Sequence, residues 1–243
     1  MTENPTPSNF VIYRGSVFRL VEAQHRISTS RLTDSIADEE RLEALIEQAK
    51  PPLPTEAQGL HYLLATPFRY GHRSESRFRR AGERPGIFYA SETKRTCIRE
   101  MAYWRMRFFA ASPAATLPST TTEYLMFGIG IAADRSLDLT LPPFARKRTA
   151  WSNKQSYDAC QRFAASARAV ATQLIRYESA RDDDGGFNVA LFDPSCFTAP
   201  VPTPEGTWHF RFQNHRLIVI GASPSQERHE FDFGHFGLPA WPD

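Results

Sequence analysis

The sequence predicts an α+β domain whose helices are segregated from a core of mixed or antiparallel strands. Three observations lead there. Short apolar runs rich in aromatic and β-branched residues recur through the chain. Three other stretches carry their apolar residues at helical spacing instead. The two kinds of segment do not alternate as regular βαβ units would. Hydrophobic residues make up 41% of the 243, enough for a buried core. No internal repeat, low-complexity linker or composition break divides the chain, so one domain over residues 1–243 is expected.

Residues 1–9 read as a flexible polar tail. "FVIYRGSVFRLVEAQ" begins as a strand. "DEERLEALIEQAKPP" is a helix, with Asp38 as its cap and Leu42, Leu45, Ile46 and Ala49 as its stripe. Pro51 and Pro52 stop it. A short apolar run, "HYLL", then leads into an Arg-rich loop. Gly86 to Ala90 is short and aromatic, as a buried strand would be. Ser91 is a good N-cap for the next helix, along which Cys97, Ile98, Met101, Ala102, Phe108 and Phe109 recur. "SPAATLPSTTT" is a loop, "EYLMFGIGIA" a strand and "LTLPPFARKR" a connection broken by prolines. "SYDACQRFAASARAVATQ" is a long Ala-rich helix. "LIRYES" and "FNVALFD" are strands joined by the polar turn "ARDDDGG". "TWHFRFQNHRLIVIG" is a hairpin turning near Gln213 to His215, and the aromatic tail "FDFGHFGLPAWPD" packs on the body.

Net charge is +2, so nothing global demands a nucleic-acid or membrane partner. Charge is uneven, however: Arg69, Arg73, Arg77, Arg79, Arg80 and Arg84 crowd one segment, and "ARKR" ends at Arg148. Cys97, Cys160 and Cys196 are odd in number and far apart. That spacing fits neither a zinc site nor a disulfide framework, and reads as buried thiols in a reducing compartment. The N-terminus lacks the pattern of a signal peptide, and no uncharged apolar run approaches the roughly 20 residues that span a bilayer. A cytoplasmic protein is expected.

"GIGIAA" at Gly128 superficially matches a dinucleotide-binding fingerprint. No helix pattern follows it, and Arg146, Lys147 and Arg148 stand where an acidic residue belongs. The motif is rejected. No P-loop, GxSxG elbow or HExxH is present.

Glu100 is less easily dismissed. Its helical neighbours three and four residues away are Thr96, Cys97, Tyr103 and Trp104, none of them a cation. A surface glutamate is ordinarily solvated, yet this one sits beside aromatics without a local partner. It belongs to a wider constellation: Arg77 in "SRFR", Tyr89 ending "GIFY", Ser179 in "YESARDDDGG", and Asn188 nine residues later. Each alone has a bland reading: Arg77 as one more solvated cation, Tyr89 as a core aromatic with its hydroxyl at the edge, and Ser179 as a turn residue.

Order and spacing together are more telling. "SRFRRAGERPGIFYASETKRTCIREMAYWR", "YESARDDDGGFNVALFDPSCF" and "VFRLVEAQHRIST" together resemble three blocks of the RES-domain toxins of bacterial toxin–antitoxin pairs, a family named for an arginine, a glutamate and a serine. The resemblance covers about residues 17–200. Segment 28–65, with its helix, is extra relative to compact members, so the chain looks like a longer variant. Many members have Arg–Trp where this chain has Arg77–Phe78, and the Arg-to-Tyr segment is slightly long, so Arg79 stands as the alternative to Arg77.

The resemblance implies a fold related to ADP-ribosyltransferases, a core of mixed or antiparallel strands flanked by helices. It implies cleavage of the nicotinamide–ribose bond of NAD+, which is substrate rather than cofactor, by hydrolysis or phosphorolysis and without a metal. The partner implied is an Xre-type helix-turn-helix antitoxin, and a homodimer is left open. Arg77, Tyr89, Glu100 and Ser179 would be the catalytic set, with Arg19, Arg69 and Asn188 binding NAD+. The residue chemistry agrees with that task. A carboxylate stabilises the oxocarbenium-like ribose, an arginine fork suits a pyrophosphate, and a tyrosine ring can stack on nicotinamide. Two rivals remain. The first passes ADP-ribose to a protein, although the second acid such transferases often carry two positions before the key Glu is here Ile98. Alternatively the Arg-rich loop, with Phe68, Tyr70 and Phe78 interleaved, grips nucleic acid.

Overall fold

A computed structural model describes residues 4–23, 33–112 and 116–241. Among them are eight strands: β1 (Val11–Glu22), β2 (Phe88–Ser91), β3 (Thr122–Asp138), β4 (Leu174–Glu178), β5 (Phe187–Leu191), β6 (Thr203–Gln213), β7 (Arg216–Gly221) and β8 (Arg228–Phe231). Five α-helices accompany them: α1 (Ile36–Ala49), α2 (Tyr62–Arg69), α3 (Lys94–Ala110), α4 (Arg148–Trp151) and α5 (Asp158–Ala169). The sheet runs β1-β2-β5-β4-β3-β6-β7-β8, and β3 also pairs with β1. The first five strands therefore close on themselves, while β6 to β8 extend from β3. Only the β3–β4 pairing is parallel, so the sheet is mixed, as expected.

β3 is the organising strand. One edge runs beside β1, and the other is shared by β6, at Thr122 to Gly128, and β4, at Ser136 to Asp138. The glycines of "GIGIAA" lie inside this strand. A Cβ at Gly130 would sit 2.3 Å from Thr198 Oγ1, so this glycine serves close backbone packing and no phosphate loop.

Three apolar clusters hold the layers together. In the first, α3 lays Ile98 and Met106, both fully buried, against β6 to β8 and the aromatic tail, including Phe233 and Phe236. In the second, α4 and α5 place Trp151 and Phe163 against Phe78, Ile175 and Tyr177. In the third, α2 covers β1, β2, β3 and β5 with Leu64 and Phe68. Burying one such large side chain contributes about 1.5–3 kcal/mol.

Several local expectations are corrected. Of the tail expected over residues 1–9, Pro7–Asn9 forms a 3₁₀ turn and Pro5 is buried; residues 1–3 lie outside the described residues. The cap of α1 is Ser35, whose Oγ accepts from the Asp38 backbone N–H; Asp38 sits in the first turn. The apolar stripe of that helix is not buried, and Leu45 and Ile46 are exposed. The run "HYLL" opens a helix, α2, with Pro67 inside it. Ser91 belongs to β2, and Thr93 caps α3 by accepting from Thr96 N–H. Phe108 is exposed, off the buried face of α3. β3 continues to Asp138, six residues beyond "EYLMFGIGIA". Residues 24–32, which include the start of the extra segment and the end of "VFRLVEAQHRIST", and residues 113–115 of the loop lie outside the described residues. The hairpin turn is Asn214–His215, both at positive φ as a two-residue hairpin loop demands. No helix among the described residues is long and apolar enough to cross a membrane.

Candidate active site

Sheet register builds the floor of a cleft. Phe18 on β1 faces Ser91 on β2, Ser91 faces Asn188 on β5, and Asn188 faces Tyr177 on β4. These four residues thus lie in one row across four strands, and all line a cavity of about 260 Å³. α3 forms one wall, contributing Cys97, Glu100, Met101, Tyr103 and Trp104. Ser76, Arg77, Tyr157 and Arg181 complete the lining. The cavity lies where the first and second apolar clusters meet.

Glu100 projects from α3 into this space. Its Oε1 accepts hydrogen bonds from Ser179 Oγ and Asn188 Nδ2, both at 2.7 Å. Among the described residues nothing donates to Oε2, and no cation pairs with the carboxylate. Each donor is itself oriented. Ser179 Oγ accepts from the backbone N–H of Arg181 and Asp182, both at 3.1 Å, which directs its own proton to Glu100. Ser91 Oγ donates to Asn188 Oδ1 at 2.6 Å, which turns the amide so that Nδ2 faces the carboxylate. Ser179 and Asn188 are almost wholly buried, so these bonds are shielded from competing water.

The arginines divide. Arg77 lines the cleft, its Nη1 donating to the carbonyls of Trp151 and Asn153 and its guanidinium lying over Tyr157. Arg79 is equally buried but spends its guanidinium on the carbonyls of His72, Ser74 and Arg80. It clamps the loop and does not line the cavity, so of the two alternatives Arg77 is the one at the site. Arg19 also lines the cleft; its Nη1 donates to Tyr89 O, its guanidinium lies over Phe88, and burial pulls its pKa down to about 10. Arg69 is not brought there. It donates to Pro51 O and pairs with Glu47, tying α1 to α2.

Tyr89 offers its ring to the cleft while its hydroxyl is committed elsewhere. The hydroxyl meets Ser76 Oγ at 2.9 Å and accepts from Phe78 N–H at 3.1 Å. Burial raises its pKa to about 12, so it stays protonated. Tyr89 thereby fixes the residues on either side of Arg77.

Sequence reasoning missed Ser91, read as a helix cap, and Arg181, read as part of a polar turn. It also missed the aromatic wall of Tyr103, Tyr157 and Tyr177. Helical spacing puts Tyr103 beside Glu100, but no short-range signal marks the others, because Ser91 and Tyr177 reach the cleft through strand register and Tyr157 and Arg181 through long-range packing. The nucleic-acid alternative loses its platform. Phe68 and Phe78 are core residues, and Arg69 and Arg79 are engaged with the protein itself.

No curated protein matches this chain. Among solved structures, a chain of the M. tuberculosis MbcT–MbcA toxin–antitoxin complex aligns with a TM-score of 0.45 and 12% identity, covering 82% of this chain and 86% of that one. The family model described as the RES domain matches residues 53–213, well over half of the 243 and including every cleft residue named above except those on β1. This chain belongs to the RES domain family.

Proposed function

We propose that the protein is the NAD+-degrading toxin of a toxin–antitoxin pair, cleaving the nicotinamide–ribose bond in this cleft. The observation that carries the reading is the Glu100 carboxylate, oriented by two buried donors and left without a cation, among guanidinium groups and aromatic rings. As the C1′–N bond breaks, its electron pair leaves with neutral nicotinamide, and positive charge grows on the ribose. Glu100 stabilises that charge at short range in a site of low polarity. The Oε1 bonds to Ser179 and Asn188 hold the carboxylate in place; Oε2 is free to meet a ribose hydroxyl or the incoming acceptor. Tyr89 provides an aromatic face for nicotinamide, and Arg19 and Arg77 attract the diphosphate. Water as acceptor yields ADP-ribose, and phosphate yields its phosphate ester.

The proposal extends to the whole chain: one RES domain with an ADP-ribosyltransferase-like core, an added segment at 28–65, a cytoplasmic location and an Xre-type helix-turn-helix antitoxin as partner. Transfer of ADP-ribose to a protein is less well supported. The position two before Glu100 is Ile98, fully buried in the first apolar cluster, so α3 offers no second acid there.

The test is nicotinamide release from NAD+ by purified protein, with and without phosphate and with no acceptor protein. Release in both buffers means hydrolysis, and release only with phosphate means phosphorolysis. Release that needs lysate means transfer to a macromolecule, and no release under any condition overturns the reading.

A further inference from the structure

We infer that Arg181 is a substrate-binding residue that takes a phosphoryl group of the bound dinucleotide. This rests on the proposed function above. Arg181 is 3% exposed and lines the cleft beside α3. Its guanidinium carbon lies over Tyr103, 3.5 Å from the ring centroid, and Nη2 donates to Lys154 O at 3.1 Å. Its backbone N–H donates to Ser179 Oγ. Position along the chain is thus fixed by the same serine that holds Glu100.

The charge arrangement is what points to a ligand. Arg181 is followed at once by Asp182, Asp183 and Asp184, yet pairs with none of them. Asp182 and Asp184 are taken by Arg95 and Arg99, and Asp183 by Lys154. A nearly buried guanidinium with no carboxylate among the described residues is costly to keep. Arg77 is in the same condition, and Arg19, half-buried, also has no carboxylate partner among the described residues, so three guanidinium groups share the cavity with one carboxylate, Glu100. The missing negative charge is that of a diphosphate, and an arginine fork matches its oxygens in geometry as well as charge. Tyr103 holds the fork in one plane, which reduces the entropy lost on binding. The nicotinamide end of the substrate is cationic until the bond breaks, makes no demand for an arginine and is left to Tyr89 and Glu100.

The test compares wild type with Arg181→Gln and Arg181→Lys. Calorimetry reads affinity for ADP-ribose and for nicotinamide; steady-state kinetics reads kcat, the KM for NAD+ and the dependence on phosphate. In Arg181→Gln, ADP-ribose affinity falls and the KM for NAD+ rises, each by about 10- to 100-fold, as expected for a lost charge-assisted bond. Nicotinamide affinity and kcat move by less than about threefold, because the remote bond is made equally in ground and transition states. Arg181→Lys recovers part of the loss by restoring charge without the fork.

Unchanged ADP-ribose affinity and KM overturn the assignment, as does an equal loss of nicotinamide binding, which would mark a merely structural role. If Arg181→Gln raises only the phosphate requirement, the anion is the acceptor, and the dinucleotide assignment falls. A wild type that binds ADP-ribose through Arg181 but releases no nicotinamide sinks the proposed function and leaves the anion site standing. A wild type that binds neither ADP-ribose nor inorganic pyrophosphate removes the site itself.

Discussion

Two clusters of arginines flank α3, and they are built on opposite principles. On the outer side, Arg95 and Arg99 meet Asp182 and Asp184. Asp182 has no exposed side-chain surface and also accepts from Thr96 Oγ1 at 2.7 Å. Gly186 leaves room for this clamp, since a Cβ there would fall 2.4 Å from Asp182 Oδ2. On the cleft side, Arg19, Arg77 and Arg181 face carbonyls and aromatic rings, and the single acid, Glu100, is bonded to neutral donors. The outer cluster is compensated and the inner one is not. Compensated charge fastens the turn 179–186 to the helix. Uncompensated charge is tolerated where a ligand completes it. One helix turn, from Thr96 to Glu100, separates the two regimes.

The comparison predicts that substitutions inside the cleft change activity and leave folding intact, whereas outer substitutions do the reverse. Glu100→Gln gives the largest effect. Gln keeps the shape, and its carbonyl oxygen still accepts from Ser179 and Asn188, so the melting temperature stays within about 2 °C of wild type, consistent with a change of under about 1 kcal/mol. Losing the negative charge beside the ribose lowers kcat for nicotinamide release by about 10²- to 10³-fold. Near wild-type turnover in this variant would break the inner half of the comparison.

Arg77→Ala against Arg84→Ala sharpens it next. Both residues come from the same basic segment, but Arg77 lines the cleft and Arg84 is exposed. Removing Arg77 raises the KM for NAD+ by about 10- to 100-fold, the range for losing a charge-assisted contact. Arg84→Ala changes neither KM nor stability appreciably, as is usual at the surface. Equal effects would mean that the segment acts through its overall charge and not through one guanidinium.

The same contrast explains what could be read from the chain alone. Strands such as "GIFY", "FNVALF" and "RLIVIG" announce themselves because burial on a pleated surface selects β-branched and aromatic residues locally. Glu100 was legible because a helix makes its neighbours known, and none of them was a cation. Arg77 and Arg79 could not be separated by spacing; only the fold shows one facing the cleft and the other bonded to three loop carbonyls. By sequence Ser91 is a cap, because Ser before a helix is ordinarily one. Its actual partner, Asn188, is 97 residues away and is chosen by β2–β5 register. Arg69 belonged by sequence to the basic segment, yet the α1–α2 packing assigned it to Glu47. "RDDD" looks like a self-neutralising turn, and nothing local says that each aspartate will pair elsewhere.

Asp182→Asn carries the smallest expected change in activity and probes the outer half. The amide keeps the shape of the carboxylate but removes its charge and one of its accepting oxygens, while Thr96 Oγ1 and the Arg99 guanidinium still point at it. Leaving a buried donor without a partner costs about 1–3 kcal/mol, which for a chain of this size lowers the melting temperature by about 2–10 °C. The backbone N–H of residue 182 still reaches Ser179 Oγ, so the Ser179–Glu100 bond persists. Specific activity well below the transition should therefore stay within about threefold of wild type, with an unchanged KM for NAD+. Thermal melts followed by activity at low temperature separate the two readouts. A stable variant with collapsed kcat would show that the clamp tunes the carboxylate itself, and the division between fastening charge and ligand-completed charge would then fail at this residue.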